Sequence, residues 1–86
     1  MAAPTLDPHE RDPATVSGTE TYRHADKVWV YRDRAWCAGV VELSSPRAAT
    51  VTYRPGNSRG TGVDTLTARY LLPRDEVDPL LDNRSV

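Results

Sequence analysis

The side chains able to do covalent or acid–base chemistry are few in this sequence and poorly spaced for it. His9 and His24 lie in or near an acidic N-terminal stretch, far along the chain from the single cysteine, Cys37. Ser44 and Ser45 fall in a turn with no base positioned beside them. No CxxC, HExxH or paired-cysteine spacing occurs, so a structural metal site is not expected. Gly56, Gly60 and Gly62 lack the strand-to-helix setting and the lysine of a phosphate-binding loop. A Cys37–His24 pair is conceivable, but a lone cysteine among apolar residues reads first as buried packing. The expectation is a protein that is not an enzyme and carries no cofactor or metal.

The remaining chemistry is that of binding. Tyr31, Arg32, Arg34, Trp36, Tyr53, Arg54, Asn57 and Arg59 cluster at the ends of short runs rich in β-branched and aromatic residues. Rings offer area and cation–π attraction. Guanidinium groups pair with carboxylates in bidentate fashion or track phosphates. A plainer reading stands beside this one. With no Phe in the chain, Trp and Tyr must supply bulk to a core, and the arginines then form a solvated surface. Trp29 is evenly balanced between core and surface by alternation, whereas exposure is favoured for Trp36 and Tyr53 near turns.

The net charge of -1 hides a pattern. Residues 27–74 hold eight basic side chains against Asp33, Glu42 and Asp64, a net of +5. Residues 1–26 and 75–86 each carry a net of -3. A basic middle between acidic ends suits an anionic partner. Ten Arg to one Lys, with much Ala, Val and Asp, is also what a GC-rich genome writes everywhere.

These residues need elements to hold them. Residues 1–21 are rich in Pro, Thr, Asp and Glu and show no apolar period, so they are expected to form a disordered acidic tail. Lys27 to Tyr31 reads as a first strand, with Val28 and Val30 on one face and Trp29 and Tyr31 on the other. Residues 32–35 make a tight turn. Trp36 to Leu43 is a second strand, in which Gly39 marks a bend or a close backbone approach. Ala49 to Arg54 is a third, followed by a long Gly-rich loop of the kind that carries function. Val63 to Thr67 is a weaker fourth strand. Ala68 to Leu72 holds one helical turn and a last short strand. Five short strands with tight turns point to a small closed all-β barrel over residues 22–74, the alternative being an open meander that dimerises through its edge, with 75–86 as an acidic C-terminal extension.

The run from Asp26 to Pro73 resembles SH3-like barrels of the Tudor type. The likeness lies in DKVWVYRDRAWCAGVVEL and in VTYRPGNSRGTGVDTLTARYLLP. The VWV opening is also similar to that of the SH3-like domain of myosin heavy chains. The resemblance implies an aromatic cage for methylated Lys or Arg, which by position would be Tyr31, Trp36 and Tyr53 with Asn57 as polar partner. The nearby arginines depart from that pattern, because they repel a cationic ligand.

The leading expectation is a non-catalytic module that recognises an acidic or methylated protein segment at a common rim of the eight binding residues above. Its alternative is a DNA- or RNA-binding module using the same basic rim. A homodimer through a sheet edge is a third possibility. No apolar stretch is long enough to span a bilayer and the start of the chain has no secretory pattern, so no membrane partner is expected. One unpaired cysteine fits a reducing cytoplasm.

Overall fold

The computed structural model describes residues 3–12, 16, 18–55 and 60–75. Five strands form one antiparallel sheet: β1 (Lys27–Arg32), β2 (Ala35–Ser44), β3 (Ala49–Tyr53), β4 (Gly62–Leu66) and β5 (Leu71–Pro73), in the order β4-β3-β2-β1-β5. A 3-10 turn, Ala68–Tyr70, leads into β5. Strand order and this turn are compatible with an SH3-like fold.

Local sequence explains the connections. Arg32 pairs with Ala35, leaving Asp33 and Arg34 as a two-residue hairpin loop. Both have positive φ, 51° and 65°. That is the twist that suits tight hairpins, although Gly or Asn usually supplies it. The β2–β3 turn is closed by the Ser45 N–H donating to the Ala48 carbonyl at 2.9 Å. The register between β2 and β3 shifts between Val41 and Leu43, so Glu42 is an extra residue in β2. Such a bulge bends and twists the strand. Residues 19–26 run beside it. His24 Nδ1 donates to the Glu42 carbonyl at 2.9 Å, and Ser44 Oγ donates to the Tyr22 carbonyl at 2.7 Å.

The all-β, five-stranded antiparallel sheet is as expected, but its closure into a barrel is not seen. Among the described residues no ladder joins β4 to β5, which remain its two edges. The sheet is nonetheless strongly curled. Arg32 of β1 and Asp64 of β4 form an ion pair at 3.1 Å. Three inter-strand steps in a flat sheet would place these strands about 14 Å apart.

Each face of the sheet buries its own cluster. Val28, Val30, Cys37, Val41, Val51, Tyr53 and Leu71, joined by Tyr22 and Ala49, fill the inner face. Trp29, Trp36, Ala38 and Val40 lie on the outer face, with Tyr31 and Leu72 packed against them. Gly39 shows why the inner face closes so tightly. A Cβ there would meet Val30 Cγ2 at 2.7 Å and the Thr52 carbonyl oxygen at 2.9 Å. The close approach expected at this glycine is present.

Candidate functional site

The strands divide the described members of the expected site rather than gathering them. Tyr31 lies opposite Trp36, and Tyr53 lies opposite Gly39. Side chains alternate along β2, so Trp36 and Gly39 face opposite ways, and Trp36 and Tyr53 end on opposite faces. Both are buried, at 6% and 8% exposure, where the sequence favoured exposure. Covering both faces of β2 is the reason. Among the described residues the expected rim falls into two separate groups, with Tyr53 in one and Tyr31 and Trp36 in the other. Asn57 and Arg59 lie outside the described residues.

The inner group closes one end of the curled sheet. Arg32 Nε donates to the Tyr53 hydroxyl at 3.4 Å and pairs with Asp64 Oδ2 at 3.1 Å. The Tyr53 hydroxyl, and then the Asp64 carboxylate, push the Arg32 pKa above its ordinary value. Gly62 makes room for the Tyr53 ring, since a Cβ at that position would lie 3.0 Å from it. Arg32 is thus already matched with an anion, and a ligand there would have to displace Asp64. Arg54 follows directly, its N–H donating to the Ala38 carbonyl at 2.9 Å.

The outer group is a row of rings. Trp36 meets Tyr31 edge-on, with centroids 5.1 Å apart. Tyr31 stacks on Tyr70 at 6.5 Å, and Tyr70 meets His9 edge-on at 5.6 Å. Offset and edge-to-face pairs of this kind add to plain area burial. Beside the row is a concavity of about 470 Å³ whose walls include Tyr31, Arg34, Trp36, Pro4 and Asp7. The Trp36 indole N–H donates to the Leu6 carbonyl at 3.0 Å. Arg34 is exposed at the lip, held there by the left-handed hairpin.

Sequence reasoning missed Leu6, His9 and Tyr70. The pairing of Val30 with Leu71 sets Tyr70 beside Tyr31, so knowledge of the β1–β5 register would have found it. Residues 3–12 were expected to lie within a disordered tail. In the structure they cross the outer side of the molecule, with Pro8 buried in the 3-10 turn Pro8–Glu10. One terminal nitrogen of Arg11 donates to the carbonyls of Ala68, Arg69 and Leu71 at 3.2, 2.7 and 2.9 Å.

Two arginines thus donate to main-chain carbonyls of this chain. Besides Arg11, the buried Arg74 donates from Nε to the Val28 carbonyl at 3.0 Å and from Nη2 to the Gly39 carbonyl at 2.9 Å. A buried guanidinium requires such partners. Among the described residues no group of three His, Cys, Asp or Glu is placed to hold a metal ion. No helix among them is long and apolar enough to cross a membrane.

Together these features define a small all-β domain with a curled five-stranded sheet and an aromatic groove on its outer face. Comparison with known proteins goes no further: no protein family, curated relative or solved structure matches the chain.

Proposed function

We propose that this domain is a non-catalytic binding module, related to SH3-like barrels of the Tudor type, that recognises an extended protein segment in the groove of Tyr31, Arg34 and Trp36. One observation carries the reading. The Trp36 indole already reads a backbone carbonyl, that of Leu6, at the edge of the ring row. An aromatic groove with a donor aimed at main-chain carbonyls suits an extended peptide, because rings supply area and the donor fixes register. Arg34 at the lip favours an acidic segment.

The nucleic-acid alternative has a thinner basis than the sequence suggested. Of the basic middle, Arg32 is paired with Asp64 and Arg74 is buried on backbone carbonyls. The methylated-residue cage has lost Tyr53 to the other face.

A chemical-shift titration of the isotope-labelled full chain tests this reading. The ligands are an acidic proline-containing peptide, a methyl-lysine peptide, short DNA and short RNA, each at low and high salt. The acidic peptide is expected to move the signals of Tyr31, Arg34 and Trp36 with little salt dependence. Shifts confined to arginine-bearing loops on adding DNA or RNA, fading steeply with salt, would overturn it.

A further inference from the structure

The groove beside Trp36 is walled on one side by the chain's own N-terminal segment. Pro4, Leu6 and Asp7 are part of its lining, and the same stretch continues into the buried Pro8 and into Arg11. Its attachment is of a particular kind. Leu6 offers its carbonyl to Trp36 while the residue as a whole is 42% exposed. Pro4 is half-buried, and Pro8 is fully so. The contact is thus made by backbone and prolines, with the large apolar side chain turned outward. That is how a bound peptide sits, and it differs from a core segment, which buries its largest side chains. The segment is also acidic where it passes Arg34, since Asp7 and Arg34 line the same concavity.

We propose that residues 3–12 occupy, in cis, the site at which an external segment of the same chemistry docks. That chemistry is a segment with two prolines four residues apart and an acidic residue between them. This proposal rests on the groove being a peptide site, as argued above, and adds that the chain's own segment must leave before a partner enters. The Arg11 clamp on the carbonyls of Ala68, Arg69 and Leu71 is the latch. A tethered occupant competes at an effective concentration of about millimolar. The apparent affinity for an outside peptide falls by the fraction of molecules whose groove is open.

The test uses the full labelled chain, unaltered and with Arg11→Ala or Pro8→Ser. Both substitutions lie outside the sheet. Two quantities are measured: hydrogen exchange at the Trp36 indole, and affinity for a synthetic peptide of residues 3–12 added in trans. In both variants indole exchange is expected to accelerate, and the peptide to bind about ten-fold tighter or better than to the unaltered chain. Unchanged indole exchange in both variants would overturn the latch and leave the peptide-site reading standing. So would faster exchange with equal peptide affinity in variant and unaltered chains. Faster exchange with no peptide binding to any form would sink the peptide-site reading, and this proposal with it. Loss of the sheet's amide dispersion in both variants would show the segment to be part of the core, which also overturns the proposal.

Discussion

The two faces of this sheet are made by the same strands and solve different problems. The inner face is aliphatic, filled mainly by Val28, Val30, Val41, Val51 and Leu71, and closed at one end by Arg32, Tyr53 and Asp64. The outer face is aromatic, and a segment held by side-chain hydrogen bonds to main-chain carbonyls crosses part of it. Along β1, alternation sends Val28 and Val30 inward and Trp29 and Tyr31 outward. The inner face therefore holds the fold together, whereas the outer face is partly covered by the chain's own N-terminal segment.

Neighbouring residues of β5 give the sharpest contrast. Leu71 is fully buried in the inner cluster, and Leu72 packs half-buried on the outer one. Leu71→Ala is expected to cost about 2–5 kcal/mol, much of the stability of a small domain. Leu72→Ala should cost about 1 kcal/mol, in line with partial burial. Chemical denaturation of the two variants measures both, and equal losses would break the distinction between the faces.

Gly39 comes next. Gly39→Ala forces a methyl against Val30, the Thr52 carbonyl and the Tyr53 Cβ, so a loss of about 1–3 kcal/mol is expected. The same denaturation experiment reads it. A neutral result would mean that the inner face is looser than described.

Smaller effects arise where the backbone is strained. Ala25 has φ 72°, a left-handed conformation in which a Cβ is unfavourable. Ala25→Gly is expected to raise stability by up to about 1 kcal/mol, visible as a higher denaturation midpoint. Both faces should be unaffected, because Ala25 is exposed.

The least effect near neutral pH belongs to Tyr22. Burial, the main cause, pushes its hydroxyl pKa above the ordinary 10.0, opposed by Arg11 and aided by Asp26. A raised folded-state value leaves stability intact below the unfolded pKa and removes it as pH rises through the folded one. Stability should thus decline above about pH 10, and Tyr22→Phe should flatten that decline in an alkaline denaturation series. An unchanged slope would deny the burial of this ring in the inner cluster.

Much of the sheet was legible in the sequence. The runs at 27–31, 36–43, 49–54 and 63–67 are strands within a residue or two of the expected ends, and a helical turn does precede a last short strand. Branched and aromatic runs punctuated by Pro, Gly and Ser carry that information locally. What escaped depends on register. Nothing local fixes which residue of β2 meets Tyr53, so the separation of Tyr53 from Trp36 could not be read. The bulge at Glu42, which rephases the far end of β2 against β3, has no local signature either. The packing of residues 3–12 was hidden for another reason. It rests on main-chain carbonyls and two prolines, and apolar periodicity does not detect such contacts. Arg74 read as surface charge because only tertiary structure brings the Val28 and Gly39 carbonyls to it.

The central claim is that Trp36 belongs to the outer face, engaged by the chain's own residues and separated by the sheet from Tyr53. The most direct measurement is the set of nuclear Overhauser contacts of the Trp36 indole proton in the full chain. Contacts to the Tyr31 ring and to the Cα protons around Leu6, with none to the Tyr53 ring, are the expected result. Contacts between the Trp36 and Tyr53 rings would contradict it.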